Sequence, residues 1–281
     1  MKTIIRAAVL TCVLGLGVRA RAASAPAFSK VLVIVLENAD YAKAASAPFL
    51  TKLAARGATL TNYSGVGHPS QPNYIAMIAG DAMGVRDDKP VNLSGRHLGD
   101  LLDAKGLSWG VYAEGYPGGC FLGAQSGLYA RKHAPFLSFT SVQNSPAKCA
   151  RVKDAAAFDG DAASGSLPAY SLYVPDLNND GHDTGVDAAD QWLSGFLGPK
   201  LDDAAFMNGM LVVVTFDESS SKSGNHVLTV LAGGGVAPGA SSDAPYDHYS
   251  LLRTVENGLG LGDLGRKDSS AALIDGIWGN K

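Results

Sequence analysis

Two pairs of oxygen-bearing side chains each follow an apolar run, in a pattern that could build a metal site. Glu37 and Asn38 follow "VLVIVL", and Asp217 and Glu218 follow "MLVVVTF". Such runs predict strands that are buried on both faces. Carboxylates that converge in a partly dry site repel one another, and a divalent cation offsets that repulsion. Oxygen donors favour calcium, magnesium or manganese, although either pair alone is also compatible with an exposed strand end or a helix cap.

Ser70 lies in "GVGHPSQPNYIAMIAG", where glycines and prolines predict a sharp turn before a helix that spans Asn73 to Ala79. The serine is therefore expected at or just before a helix N-terminus, where free backbone N–H groups favour an anion. A hydroxyl there can bind a metal or act as a nucleophile. The alternative is that Ser70 only caps the helix.

Four histidines lie near turns or beside carboxylates, where imidazole can hold a phosphate oxygen or protonate a leaving group. They are His68, His133, His182 and His248. Solvated loop histidines without a role are the alternative. His97, in the helical pattern "SGRHLGDLL", is expected at the surface.

Apolar strand patterns alternate with helical patterns, which predicts a mostly parallel sheet with helices on both faces. Further predicted strands lie in residues 108–114, 171–180 and 225–239, and predicted helices in residues 47–56, 94–105, 187–196 and 249–258. Ligand sites in such sheets lie outside the carboxyl ends of the strands. The two acidic pairs are therefore expected at one edge. We predict a single domain over 26–281, in which 115–166 forms a cap or insertion.

The N-terminus predicts export from the cytoplasm. Two basic residues precede an apolar stretch from 7 to 18, and alanines follow. This order is typical of a secretory signal peptide over 1–22, with cleavage as late as residue 25 also compatible. The stretch is short for a membrane span, so a retained anchor is the less favoured alternative. A secreted or periplasmic location follows.

The remaining composition limits the partners and the redox state. Acidic residues number 26 and basic residues 23, and no polybasic run is present, so nucleic acid is not an expected partner. Cys120 and Cys149 remain after signal cleavage, which predicts one disulfide in an exported chain. Two buried free thiols are the alternative.

In chain order, six segments are similar to the phosphoesterase family of bacterial phospholipases C and secreted acid phosphatases, within the alkaline phosphatase superfamily. They are "VLENADY", "GHPSQPNYIAMIAG", "YARKHAPFLSF", "PDLNNDGHDTG", "VVTFDES" and "YDHYSLLRTVENGLGL". The short chain most resembles the acid phosphatase branch. The resemblance implies an alkaline-phosphatase-like α/β fold: a three-layer α/β/α sandwich with a mostly parallel central sheet.

The resemblance also implies residue roles. The implied metal ligands are Glu37, Asn38, Ser70, Asp217 and Glu218, with Ser70 also the nucleophile. The implied catalytic histidines are His133, His182 and His248, and the implied substrate-binding residues are His68, Asn73, Asp176 and Asp180. Superfamily members with two metals often use an Asp-x-x-x-His spacing, but here Asp180 stands where that histidine is expected. This favours one divalent ion, either calcium, magnesium, manganese or a transition metal.

The function implied by the resemblance is an exported, metal-dependent acid phosphatase that hydrolyses phosphate monoesters through a phosphoserine. An acidic optimum is expected if a protonated histidine replaces the second metal. The partner is expected to be a small phosphorylated substrate or a phospholipid headgroup, and oligomeric state is left open. The alternatives are a phospholipase C or other phosphodiesterase, and a non-catalytic secreted binding protein on the same fold.

Overall fold

A computed structural model describes residues 28–220 and 224–279. The predicted signal peptide, 1–22 with cleavage as late as residue 25, lies outside the described residues. None of the helices within those ranges combines the length and apolar character needed to cross a membrane.

The strands and helices of the described residues are numbered in chain order. The strands are β1 (Lys30–Leu36), β2 (Ala58–Leu60), β3 (Tyr63–Ser64), β4 (Trp109–Ala113), β5 (Gln125–Ser126), β6 (Tyr129–Ala130), β7 (Val152–Asp154), β8 (Tyr170–Val174), β9 (Met210–Phe216), β10 (Thr229–Gly233), β11 (Ala240–Ser242) and β12 (Tyr246–Asp247). The α-helices are α1 (Tyr41–Ala45), α2 (Pro48–Arg56), α3 (Ser70–Ala79), α4 (Leu98–Lys105), α5 (Thr140–Gln143), α6 (Pro146–Cys149), α7 (Phe158–Ala163), α8 (Val186–Asp202), α9 (Ala204–Met207), α10 (His248–Gly258) and α11 (Lys267–Ser270). Short 3₁₀ turns span Arg131–His133, Pro135–Ser138 and Ala155–Ala157.

The central sheet has the strand order β11-β2-β10-β9-β1-β8-β4-β7. Neighbouring strands from β9 through β7 are parallel, whereas β10 runs antiparallel to both β9 and β2. The register of β1 and β9 runs from Lys30 opposite Met210 to Leu36 opposite Phe216. The carboxyl ends of these two buried strands therefore lie side by side. The predicted mostly parallel sheet is confirmed.

Helices pack in two groups, which bury both faces of the central strands. In one group α2 contacts α8, and Asp190 on α8 accepts hydrogen bonds from the Phe49 and Leu50 N–H groups at the start of α2. In the other group α3 contacts α10, and every residue of α3 is buried. Because β1 and β9 are buried almost throughout, helices lie on both sides of the sheet. The predicted three-layer α/β/α sandwich is confirmed.

The segment 115–166 is tied to the sheet at several points. Its β7 pairs with β4 as the edge strand. The Cys120–Cys149 disulfide is present, with the two Cα atoms 5.5 Å apart, as the cysteine count predicts. The Arg131 guanidinium donates to the Leu122 and Leu137 carbonyl oxygens among others, which fixes the short 3₁₀ turn after β6. A cap role for 115–166 stays a prediction.

The surface position expected for His97 is wrong. The ring is buried, and its Nδ1 accepts from the Gly99 N–H at the start of α4. Its edge packs against Phe136 and Phe139. A polar residue in a helical pattern suggests exposure, but here the ring satisfies a free N–H at a helix start inside the core.

A buried carboxyl group on α10 predicts a pH-dependent stability. Glu256 is 2% exposed, and neither of its carboxyl oxygens accepts a hydrogen bond from the described residues. Burial, assisted by Asp268 and Asp263 and opposed by Arg253, raises the pKa of Glu256 to about 8. The folded chain therefore keeps a proton that the unfolded chain loses above about pH 4.5. This group alone should lower the free energy of unfolding by up to about 1.4 kcal/mol per pH unit between those values.

Glu256→Gln should remove this contribution, so the variant should become progressively more stable than the wild type as pH rises from 5 to 8. Denaturant unfolding at several pH values measures the difference. Asp243→Asn, which neutralises an exposed carboxylate, is the matched control and should leave the slope unchanged. A constant difference between Glu256→Gln and wild type over this range would contradict the assignment.

Candidate active site

The first predicted pair lies where β1 ends, and its backbone explains how two adjacent side chains reach one site. Asn38 adopts a left-handed conformation with φ 48°, which asparagine tolerates better than most residues. The chain therefore turns directly after Glu37, and Asn38 Nδ2 donates to Glu37 Oε2 over 3.4 Å. The Asn38 N–H donates to Asp217 Oδ1 over 3.3 Å. The two predicted pairs thus meet at one sheet edge.

Ser70 lies between the two acidic pairs. Its hydroxyl donates to Glu37 Oε2 over 2.8 Å, and its Oγ is 3.4 Å from Glu218 Oε1. Helix α3 begins at Ser70, earlier than the predicted start at Asn73, and Pro69 is the N-cap residue. The alternative that Ser70 only caps the helix is therefore wrong. The five predicted metal ligands are brought together.

The loop before Ser70 is held by Asn73, whose substrate-binding role stays a prediction. Asn73 is fully buried. Its Oδ1 accepts from the Val66 and Gly67 N–H groups, and its Nδ2 donates to the Gly67 and Pro69 carbonyl oxygens. Since these bonds engage both ends of the amide, the side chain positions the loop that delivers Ser70.

A second group of side chains surrounds the other oxygen of Glu37. Glu37 Oε1 accepts from the Tyr74 hydroxyl over 2.6 Å and lies 3.3 Å from His133 Nε2. His133 Nδ1 is 3.4 Å from Asp180 Oδ2, and the His133 ring stacks on Tyr74. The Asp180 carbonyl oxygen accepts from the Glu37 N–H over 2.8 Å. Glu37 is therefore shared by the Ser70 group and the His133 group.

Burial and mutual repulsion shift the ionisation of the site acids. Burial, with repulsion from Glu37, raises the pKa of Glu218 to about 7 and holds that of Asp217 well above its usual range. Burial also raises the pKa of Asp180 to about 7 and lowers that of His133 to about 4. The side chains thus bring several mutually repelling carboxyl groups into one buried site.

These residues fit a divalent cation. Asp217 Oδ2 and Asp180 Oδ2 are buried and accept no hydrogen bond from the described residues. Glu37, His133 and Asp180 offer donor atoms that all lie within 4.8 Å of one another. Buried acceptors without donors are costly unless a cation or a proton reaches them. The carboxylate oxygens and one imidazole are donors suited to a divalent metal.

A cavity of about 520 Å³ opens beside the acidic pairs. It is lined by Asn38, His68, Pro69, Glu218, Ser219 and Ser220. His68 Nδ1 lies 2.6 Å from Glu218 Oε2, so this predicted substrate-binding residue is at the mouth of the site. His182 lies at another side, with its ring centroid 6.4 Å from that of His133 and its Nδ1 2.7 Å from Asp183 Oδ1.

Two further predicted residues, His248 and Asp176, form hydrogen bonds with backbone groups. His248 is buried, with Nδ1 2.9 Å from the Tyr63 hydroxyl and Nε2 2.6 Å from the Asp217 carbonyl oxygen. Both ring nitrogens are engaged, so His248 supports the backbone of Asp217 in this arrangement, and its catalytic role stays a prediction. Asp176 accepts from the N–H groups of 178 and 179 within its own loop, and its substrate-binding role stays a prediction.

Tyr74 and Lys132 are site residues that sequence reasoning missed. Tyr74 lies four positions after Ser70, on the same face of α3, and this spacing is the signal that could have found it. Lys132 directly precedes His133. Although burial alone would lower its pKa, Glu37 and Asp88 raise the pKa of Lys132. The only sequence signal that could have identified Lys132 as a site residue is its position next to His133 in "RKH".

Curated relatives resemble most of this chain. A probable acid phosphatase of Kluyveromyces lactis is 39% identical over 89% of this chain and 62% of its own length. A phosphate-repressible acid phosphatase of Penicillium chrysogenum is 38% identical over 88% and 63%, respectively. The chain therefore spans less than two thirds of these fungal proteins. A phosphatidylinositol-3-phosphatase of Mycobacterium tuberculosis is 33% identical over 92% of this chain and 86% of its own length.

Solved structures share the fold at low sequence identity. A protein of the alkaline phosphatase superfamily from Vibrio parahaemolyticus has a TM-score of 0.61 at 14% identity, covering 87% of this chain and 72% of its own. A phosphonate monoester hydrolase from Silicibacter pomeroyi has a TM-score of 0.58 at 12% identity, covering 88% and 76%. These similarities concern the fold.

The site described above lies wholly inside one region of family similarity. The sequence model of the Phosphoesterase family matches residues 35–262, which include both acidic pairs, Ser70, His133 and Asp180. Together with the fungal and mycobacterial relatives, this match shows that the chain belongs to the phosphoesterase family.

Proposed function

We propose that this protein is an exported, metal-dependent phosphomonoesterase of the acid phosphatase type, with Ser70 as nucleophile. The observation that carries the proposal is the hydrogen bond from the Ser70 hydroxyl to Glu37 Oε2, 2.8 Å long, at the buried start of α3. The relatives named acid phosphatase in Kluyveromyces lactis and Penicillium chrysogenum support the reaction class.

Glu37 Oε2 orients the Ser70 hydroxyl and holds its proton as Oγ attacks phosphorus. A bond forms between Oγ and phosphorus while the bond from phosphorus to the leaving oxygen breaks, so Ser70 carries the phosphoryl group. Ser70 is the first residue of α3, so the positive end of the helix dipole lies at the nucleophile and favours the phosphoryl oxygens. Water then attacks phosphorus and gives a proton to the residue that protonated the leaving group, while the bond between Oγ and phosphorus breaks. Oγ takes back the proton held by Glu37, and inorganic phosphate leaves.

A divalent cation would be held by donors from the two groups that share Glu37. The Ser70 group offers Glu37, Asn38, Ser70, Asp217 and Glu218, and the His133 group offers Glu37, His133 and Asp180. When bound, such an ion lowers the pKa of a nearby hydroxyl and offsets charge on phosphoryl oxygens. Calcium, magnesium, manganese and transition metals are all compatible with these donors.

The proton for the leaving group is assigned to His182. Its side chain is 34% exposed, and its Nδ1 pairs with Asp183 Oδ1 over 2.7 Å. This pairing orients the ring, and Nε2 has no hydrogen-bonding partner among the described residues, so it can serve the leaving oxygen. His133 is a poorer donor because Glu37 and Asp180 occupy both sides of its buried ring.

We also propose that the protein is exported and that its substrate is a small phosphate monoester or a phospholipid headgroup. The charged, apolar and small-residue order at the N-terminus predicts a signal peptide, and the Cys120–Cys149 disulfide is typical of a secreted or periplasmic protein. The mycobacterial relative is named for a phosphoinositide substrate. A small phosphorylated metabolite or a phospholipid headgroup therefore fits the proposed monoesterase.

Parallel assays on p-nitrophenyl phosphate and bis(p-nitrophenyl) phosphate should give a kcat/KM at least about 100-fold higher for the monoester, because the site supplies one buried nucleophile and a cation site for a dianion. The measurement is initial rate with each divalent metal supplied separately. A higher kcat/KM on the diester would replace the proposal with a phosphodiesterase of the phospholipase C type. Phosphate binding without any turnover would indicate a binding protein.

A further inference from the structure

Lys132 is a sheltered cation beside the site that the proposed mechanism does not use. Its side chain is only 15% exposed, and its Nζ donates to Asp88 Oδ2 over 3.0 Å. An ammonium group carries three N–H donors. Since Asp88 is its one hydrogen-bonding partner among the described residues, two donors remain for a ligand.

Asp88 ties Lys132 to the nucleophile. Asp88 Oδ1 accepts from the Gln71 N–H over 3.0 Å, and Gln71 directly follows Ser70. The Gln71 side chain in turn donates to the carbonyl oxygens of Asp87 and 89, which holds the Asp88 loop against the start of α3. Asp88 thus holds the Lys132 ammonium in a fixed position relative to the start of α3, where Ser70 lies.

The two residues that flank Lys132 in the sequence, Arg131 and His133, are also held in place. Arg131 donates to three backbone carbonyl oxygens of neighbouring segments, and His133 is buried against Glu37. Although burial opposes it, the Glu37 and Asp217 carboxylates help to raise the pKa of Lys132. A cation held in this way, without full solvation, offers its remaining donors to an anion at small entropic cost.

We propose that Lys132 binds the phosphoryl group and sets the preference for monoesters over diesters, an inference that rests on the proposed phosphatase function. A phosphate monoester carries up to two negative charges and three terminal oxygens, whereas a diester carries one charge and two. A second cation therefore adds more to the binding of a monoester. Lys132 donates to a terminal oxygen while it keeps its hydrogen bond to Asp88.

The test compares Lys132→Met and Lys132→Arg with wild type on p-nitrophenyl phosphate and its bis ester. Lys132→Met should lower the ratio of monoester to diester kcat/KM at least about tenfold, and should raise the inhibition constant of inorganic phosphate by a similar factor. Lys132→Arg keeps the charge and should recover most of the ratio. Lys89→Met removes a lysine of the adjacent loop whose side chain is 84% exposed, and this control should leave the ratio within about twofold.

The outcomes separate the two proposals. If wild type is active and Lys132→Met has the wild-type ratio of monoester to diester kcat/KM, the Lys132 proposal is wrong but the proposed function stands. Equal losses on both substrates leave this ratio unchanged and have the same meaning. An unchanged phosphate inhibition constant also overturns the Lys132 proposal alone. A wild type without monoesterase activity overturns the proposed function and the Lys132 proposal with it. Thermal melts establish that each variant is folded, and Lys132→Gln replaces Lys132→Met where the latter does not fold.

Discussion

Ser70→Ala should lower kcat on p-nitrophenyl phosphate by at least about 1,000-fold, because the substitution removes the oxygen that forms the bond to phosphorus. The same change should leave the fold intact. Alanine is favourable in a helix, and Glu37 keeps its hydrogen bonds from Tyr74 and Asn38. The loss should therefore be catalytic, with the melting temperature within a few degrees of wild type.

A covalent readout makes this prediction specific. Wild-type protein quenched in acid during turnover should gain the mass of one phosphoryl group, located on the peptide that contains Ser70. Ser250→Ala is the matched control, because Ser250 is also a buried serine in the first turn of a helix but lies on α10. It should turn over at close to the wild-type rate. A Ser70→Ala rate near that of wild type would exclude this residue as the nucleophile.

The strands that position the site could be predicted from the sequence because their residue pattern is compatible only with buried strands. "VLVIVL" and "MLVVVTF" are too short and too β-branched for helices and lack polar alternation, so they had to be strands inside a covered sheet. Parallel strands deliver their carboxyl ends to one edge. The meeting of Glu37 with Asp217 follows from those two facts, and the 3.3 Å contact between the Asn38 N–H and Asp217 Oδ1 agrees with it.

Side-chain direction was not predictable in the same way. Asn73, three residues after Ser70, and His248, beside the predicted helix 249–258, have residue types suited to a phosphate site. In the fold, the Asn73 side chain forms hydrogen bonds with a loop backbone, and the His248 ring forms one with the Asp217 carbonyl oxygen. Which acceptor or donor a buried side chain reaches depends on long-range packing, which a local pattern does not contain.

The contacts that Asp180 and Lys132 make in the site also depend on long-range packing, which a local sequence pattern does not contain. Asp180 is distant from Glu37 in sequence, but the adjacency of β8 and β1 brings its backbone carbonyl to the Glu37 N–H and its carboxyl group to His133. Lys132 reaches the site because Arg131 holds the turn that contains it. Both roles depend on connections between segments, whereas the acidic pairs depend on single strands.

Glu37 is the one carboxylate common to the Ser70 group and the His133 group, so Glu37→Gln should weaken metal binding more than it weakens the fold. Glutamine keeps an oxygen that can accept from Tyr74 and fills the same volume. Loss of a ligand carboxylate should lower metal affinity by at least about 100-fold. Chelation should abolish wild-type turnover, and re-added metal should restore it in wild type but not in Glu37→Gln at the same concentration.

Stability provides a readout of this prediction that does not depend on turnover. Metal at about 100 times the wild-type Kd should raise the free energy of unfolding of wild type by about 2.7 kcal/mol, but that of Glu37→Gln by only about 0.4 kcal/mol. Without metal, the variant should be at least as stable as wild type, because one of several mutually repelling carboxylates has become neutral. Asp247→Asn removes a carboxylate outside both donor groups and can still cap α10, so it should respond to metal as wild type does. Equal stabilisation of Glu37→Gln and wild type by metal would place the ion elsewhere, since a shared ligand cannot be removed without cost to the ion it holds.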